Sequence, residues 1–293
     1  MKKQISITAS GQKTSVGGRP IERNIPNRYI QAVGPIVFLD HIVPAVSSGT
    51  SGEKLSTGGH PHRGITTLTY LIHGEGEHRD SRGHHARISS GGMQWMKAGN
   101  GIVHDETMNP DKNDIKGLTH GFQFWINLPS KQKAEQPEYI NMPADKIPSL
   151  NLDDQGSLLK ILVGEYQGLV SAIPQYSRHF IYHLHLAEGK SFTLHSETGL
   201  EYAALISGGE AVINDARFNT GELVVFANKE GNIEINNAGN SFADIMLFGG
   251  EPYTEPIIAQ GPFVMNSQEE IELAYQDYHL GKYGKINYSD NLK

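Results

Sequence analysis

Ile65-Thr66-Thr67-Leu68-Thr69-Tyr70-Leu71-Ile72 runs directly into His73-Gly74-Glu75-Gly76. The first eight residues are rich in β-branched side chains and partly alternate, which is the pattern of a strand. The glycines after them mark a hairpin. A similar arrangement returns in the second half, where Ala203-Ala204-Leu205-Ile206 leads into Ser207-Gly208-Gly209-Glu210. Gly92-Met93-Gln94-Trp95 likewise has a later counterpart, Gly221-Glu222-Leu223-Val224, at nearly the same offset. A strand, a Gly-rich hairpin and a strand opening after Gly recur in one order, so the chain reads as a duplicated β unit.

Working outward, more short strands appear at turn-like spacing. Ala86-Arg87-Ile88-Ser89 leads into Gly91-Gly92, Gly99-Asn100-Gly101 precedes Ile102-Val103-His104, and Phe122 to Leu128 is closed by Pro129. Strands resume at Leu158 to Val163 and continue to about Gly249. Such spacing indicates a sandwich or barrel, and the 33 glycines fit the many turns it needs. Residues 134–150, with Glu138, Pro143 and Pro148, read as a polar linker between an N-terminal domain (1–133) and a C-terminal one (151–293). One helix is expected, capped at Asn266-Ser267, running from Ile271 to about Leu280 and stopped by Gly281.

Composition removes several functions. The chain has 293 residues and no cysteine, which excludes disulfides, thiolate metal sites and a Cys nucleophile. A net charge of −7 without a dense basic run argues against nucleic-acid binding. The basic start, Met1-Lys2-Lys3, has no apolar stretch behind it, and no segment is apolar enough to span a bilayer. The expectation is a soluble, cytoplasmic protein with neither nucleic-acid nor membrane partner.

Histidine is the remaining signal: eight of 14 lie between residues 60 and 120. His60-Pro61-His62 stands just before the strand at 65–72, and His104-Asp105-Glu106 just after Ile102-Val103. Side chains two apart on extended backbone share a face. If both segments face one interior, three imidazoles and one carboxylate converge, a set that suits a divalent transition metal such as iron, nickel, copper or zinc. Pro61 confines its segment to a strand start or an edge. His73, His78, His84 and His85 are expected to be solvated, and His120 has no assigned place.

The repeat bears on the number of metals. The shift that carries Thr69 onto Ala203 carries His60 and His62 onto Leu194 and Ser196. The shift that carries Gly92 onto Gly221 carries His104 and Glu106 onto Ile233 and Ile235. One metal is therefore expected, in the first half only. His183 and His185 alternate with apolar residues and read as a strand face without a carboxylate partner.

Gly58-Gly59-His60-Pro61-His62-Arg63-Gly64, Gly74-Glu75-Gly76-Glu77-His78-Arg79-Asp80-Ser81 and Gln94 through Glu106 together resemble the pirin family of the cupin superfamily. Gly261-Pro262-Phe263-Val264-Met265-Asn266 and Tyr278 to Gly284 fit it too, so the resemblance spans about residues 19–284. It implies an all-β bicupin: two jelly-roll β-barrel domains facing each other, with a short C-terminal helix. It also implies one metal in the N-terminal barrel, held by His60, His62, His104 and Glu106. Iron(II) is the preferred ion, and nickel, copper, cobalt, manganese or zinc are acceptable to the same donors. Where the general cupin motif carries a further Glu, this chain has Thr66, a departure expected to change the pocket's acid–base chemistry.

The resemblance implies two activities. One is opening of a flavonol such as quercetin by dioxygen (a quercetin 2,3-dioxygenase-like oxidoreductase), with Glu106 removing the substrate's proton and carbon monoxide and a depside released. The partners would then be a small aromatic substrate and dioxygen. The alternative is a metal-containing regulatory pirin that binds a protein partner without turnover. Another metal-dependent cupin enzyme, such as an isomerase, is a third reading. Phe122, Phe124 and Trp125 are candidates for pocket walls or core, and alternation allows only some of them to face inward.

Overall fold

A computed structural model describes residues 1–46, 56–111 and 117–289. The chain forms two compact units, each discontinuous in sequence. The first comprises Lys13–Ile21, Leu39–Lys146 and Thr254–Lys293; the second comprises Met1–Gln12, Glu22–Phe38 and Ile147–Tyr253.

Two antiparallel sheets carry most of the first unit. The larger runs, edge to edge, Glu138–Met142, Met93–Lys97, Ile65–His73, Leu118–Asn127, Ile36–Val46, Arg19–Ile25 and Gln12–Val16. The smaller runs His60–His62, Ile102–Asn109, Glu75–Asp80 and His85–Ile88. The second unit repeats the order. Its larger sheet is Ile5–Ser10, Glu222–Phe226, Glu201–Gly208, Ala243–Gly250, His179–Leu186, Leu158–Val163 and Ser149–Asn151. Its smaller sheet is Ser191–His195, Asn232–Asn237, Glu210–Ile213 and Ala216–Asn219. Six consecutive strands of each large sheet and all four of each small sheet correspond in order, as the repeated hairpins predict. The paired antiparallel sheets are the jelly-roll layout of a cupin.

Long-range pairing decides which segment joins which unit. Ile5–Ser10 pairs with Glu222–Phe226, deep in the second half of the sequence, so the N-terminal strand belongs to the second unit. Glu138–Met142, inside the proline-punctuated 134–150 stretch, is a strand paired with Met93–Lys97. The C-terminal helix spans Gln268–His279; Ser267 caps it by accepting from the Glu270 amide. No helix among the described residues is long and apolar enough to cross a membrane.

The second unit has a continuous apolar core. On Ile65–His73 and Leu118–Asn127 of the first unit, alternation sorts side chains by face. Thr69 and Gln123 point to the interior of that unit, where they meet Glu106.

Candidate metal centre

His60-Pro61-His62 forms a three-residue edge strand, where the missing proline N–H costs no ladder bond. It pairs antiparallel with Ile102–Asn109, placing His60 opposite His104 and His62 opposite Ile102. The three imidazoles meet, with ring centroids 4.4 Å apart for His60–His104, 5.0 Å for His60–His62 and 4.9 Å for His62–His104. His60 Nδ1 donates to the Gly58 carbonyl at 2.8 Å and His62 Nδ1 to the Pro262 carbonyl at 3.1 Å. A carbonyl only accepts, so these bonds fix the tautomer and leave both Nε2 atoms as bare lone pairs. His60 Nε2 and His104 Nε2 stand 3.0 Å apart. Bonds of about 2.1 Å to one ion put two adjacent imidazole nitrogens about 3 Å apart, so the donor set fits a metal.

Electrostatics favours the neutral, ligating form. Burial pushes the His62 imidazolium down to about 3, helped by the nearby His60 and opposed by the bond to Pro262. Burial, then the neighbouring imidazoles, holds His104 well below its ordinary range. Metal ligands must be deprotonated, and these rings already are at neutral pH.

Glu106 lies two residues beyond His104 on the same strand and is 4% exposed. Its Oε1 accepts from Thr69 Oγ1 at 3.0 Å and from Gln94 Nε2; its Oε2 accepts from Gln123 Nε2 at 2.7 Å. Donor atoms of His60, His62 and His104 form one close set, and those of His78, His104 and Glu106 form another. Glu106 therefore lies close to His104 and His78, while His60 and His62 lie close to His104 and to each other.

His78 corrects the expectation that the hairpin histidines are solvated. It is 1% exposed, pairs directly across from Glu106, bonds Asp80 at 3.0 Å and stacks on Tyr139. His85 is also covered and meets Glu77 at 2.9 Å, and half-buried His84 meets Asp80 at 2.8 Å. The bond to Asp80 raises the His84 pKa. Burial works to raise the Asp80 pKa, but the bonds from His78 and His84 outweigh it and hold the carboxyl below its usual range.

The aromatic candidates separate by strand face. Trp125 sets its ring edge against His62, with centroids 4.9 Å apart. Phe122 and Phe124 lie on the opposite face, where Phe122 stacks on His41. The same alternation turns Thr66 away from the Thr69 side, so the residue that shares the site's face is Thr67.

A cleft beside Glu106 is lined by Arg19, Ile21, Asp40, Met108 and Gln123. Arg19 escaped the sequence reading. Its Nη2 donates to the Met108 carbonyl, and its buried Nη1 has no hydrogen-bond partner among the described residues. Burial pulls the guanidinium down to about 10, which still leaves it charged at neutral pH. Gln94, Gln123, Thr69 and Tyr139 were missed as well, because each reaches Glu106 or its neighbours from a different strand.

The second unit holds no equivalent set. Leu194 pairs with Ile233, as His60 pairs with His104. Strand register thus equates His60, His62, His104 and Glu106 with Leu194, Ser196, Ile233 and Ile235. His183 and His185 do have a carboxylate partner, contrary to expectation: Asp244 Oδ1 accepts from them at 2.9 and 2.6 Å.

Two antiparallel sheets repeated twice, with a histidine centre in one copy, define a bicupin. The pirin sequence model matches residues 18–126, and that of the pirin C-terminal cupin domain matches residues 181–284. Pirin-like protein 2 of Arabidopsis thaliana is 32% identical over 276 residues, covering 91% of this chain and 81% of its own. The crystal structure of a quercetin 2,3-dioxygenase from Acinetobacter baumannii is 31% identical, with a TM-score of 0.90 over 98% of this chain and 100% of that one. The nickel(II) complex of the bacterial pirin YhhW from Escherichia coli shares the fold at 18% identity, with a TM-score of 0.62 over 84% of this chain and 100% of that one. The chain belongs to the pirin family.

Proposed function

We propose that this protein is a metal-dependent dioxygenase that opens flavonols such as quercetin with dioxygen, with His60, His62, His104 and Glu106 as the metal ligands. The carrying observation is the convergence of imidazole Nε2 atoms, two of them with Nδ1 tied back to a carbonyl, beside a buried carboxylate. A divalent metal, iron(II) by preference, would supply Lewis-acid polarisation of the substrate oxygens. The name of the Acinetobacter baumannii relative, at 31% identity over almost the whole chain, supports the substrate class.

The protein's own groups supply the rest. Glu106 takes the proton of the flavonol 3-hydroxyl as general base. Thr69, Gln94 and Gln123 hold its two oxygens in place, so little reorganisation accompanies the transfer. Arg19 offers a positive charge to the oxygen that becomes anionic. The cleft measures about 50 Å³, below the roughly 300–1,000 Å³ usual for small-molecule sites. A flavonol reaching Glu106 therefore requires its lining side chains to move apart.

Oxygen uptake with quercetin, measured on protein loaded in turn with iron, nickel, copper, cobalt or manganese, tests the reading. Turnover with at least one metal is expected, and Glu106→Gln, with its metal retained, should lower kcat by roughly 10²-fold or more. Absence of turnover with every metal would sink the dioxygenase and leave the non-enzymatic, partner-binding pirin.

A further inference from the structure

The second unit has replaced a ligand set with apolar side chains, yet it retains the larger cavity. That cavity measures about 500 Å³, against about 50 Å³ beside Glu106. The volume falls within the usual range of small-molecule sites. Leu194, Ile233 and Ile235, at the positions equivalent to His60, His104 and Glu106, belong to the apolar core. Those positions offer no metal-ligating atom, and of them Leu194 lines the cavity.

One part of the wall is aromatic, and Glu165, Gln175, Arg178, His195 and Glu197 line the rest. Phe180 lies 4.9 Å from Tyr182 and 5.1 Å from Tyr202, and Tyr166 lies 5.8 Å from Tyr182, centroid to centroid. All four line the cavity, with Leu194 and Leu200. Rings at these spacings present faces and edges on which a further flat ring can stack.

Two polar groups are placed for recognition. His179 lines the cavity; its Nδ1 donates to the Ser177 carbonyl at 2.7 Å, so its Nε2 is a lone-pair acceptor. That Nε2 is buried and has no hydrogen-bond partner among the described residues. A buried acceptor left bare is costly, and a ligand hydroxyl would satisfy it. The Tyr202 hydroxyl accepts from the Glu197 amide at 2.8 Å, which leaves its own proton available to donate.

We propose that the second unit is a metal-free binding site for a flat, hydroxylated aromatic molecule. Its rings stack on the Tyr166, Phe180, Tyr182 and Tyr202 wall, and one phenolic hydroxyl donates to His179 Nε2. The site is independent of the proposed dioxygenase centre and stands or falls without it.

The test uses 7-hydroxyflavone, which lacks the 3-hydroxyl of a flavonol, titrated calorimetrically into the full metal-stripped chain. Saturable binding is expected. Tyr166→Ala, which removes one wall, and Leu200→Trp, which fills the cavity, should each weaken it at least tenfold. His179→Phe should weaken 7-hydroxyflavone but leave unsubstituted flavone unchanged. Gln123→Leu, in the other cleft, should leave both unchanged. The proposal is overturned if the parent shows no saturable binding, if Tyr166→Ala binds like the parent, or if Gln123→Leu abolishes binding. Tyr166 is on a half-buried two-residue strand, so its variant decides the matter even where Leu200→Trp fails to fold.

Discussion

The Tyr139 hydroxyl donates to Gln94 Oε1 at 3.0 Å and thereby turns the Gln94 amide nitrogen toward Glu106. Burial, reinforced by the negative charges of Glu106 and Asp80, keeps the Tyr139 phenol protonated far above neutral pH. A neutral phenol can donate, so the amide oxygen accepts from it and the amide N–H faces the carboxylate. Gln94→Leu leaves a buried carboxylate short of one donor, a loss of order 1–3 kcal/mol. Its kcat on quercetin should fall about tenfold, equivalent to ~1.4 kcal/mol. Tyr139→Phe should fall less, since Gln94 stays. Steady-state kinetics at matched metal content measure both, and an unchanged kcat in Gln94→Leu would remove the amide from the mechanism.

Metal binding should appear as stability. An ion that binds only the folded chain contributes RT ln(1 + [L]/Kd), about 2.7 kcal/mol at a hundredfold excess over Kd. Adding a chelator to the parent should lower its Tm. His60→Ala, His62→Ala and His104→Ala should each hold well under one metal per chain and melt alike with or without chelator. Elemental analysis beside differential scanning calorimetry checks this; full metal retention in all three variants would exclude the imidazoles as ligands.

Gly64 is two residues past His62 and adopts φ +83°, a region that L side chains rarely enter. A Cβ there would stand 2.0 Å from the Val264 carbonyl oxygen. Gly64→Ala should therefore destabilise the protein by roughly 2–3 kcal/mol and shift the His62 backbone with it. Denaturant unfolding reads the first effect and metal affinity the second. A variant as stable as the parent would contradict the close approach.

His41, outside the proposed ligand set, gives a pH signature. It is fully buried, stacks on Phe122 and meets His120 through Nε2 atoms 2.9 Å apart. Burial pushes its imidazolium down to about 4, whereas an unfolded His titrates near ~6.5. Between those values the unfolded chain binds the extra proton, so stability rises with pH. The contribution is complete above pH ~6.5 and is lost as pH falls toward ~4, by up to about 3 kcal/mol. Urea unfolding of parent and His41→Phe at pH 7.5 and pH 5 should show the smaller pH dependence in the variant. Equal slopes would mean that His41 is not held neutral.

Short-range order made much of this protein legible in its sequence. Glycine turns and β-branched runs revealed a duplicated β fold, because hairpins are local. His60 with His62, and His104 with Glu106, could be paired on paper because a strand repeats every two residues. Tertiary pairing decided what surrounds them. Thr69, Gln94 and Gln123 reach Glu106 from three different strands, and His78 is buried because register sets it opposite Glu106. Whether Thr66 or Thr67 faces the site depends on the phase of one strand, which a single-residue shift would invert. The N-terminal strand Ile5–Ser10 joins a sheet built from the second half of the chain, and no local signal carries that choice. Residue chemistry and spacing determined which groups could bind a metal. Only the register of distant strands decided which donors hold the carboxylate and which histidines lose their water, because burial and hydrogen-bond partners are properties of the packed whole.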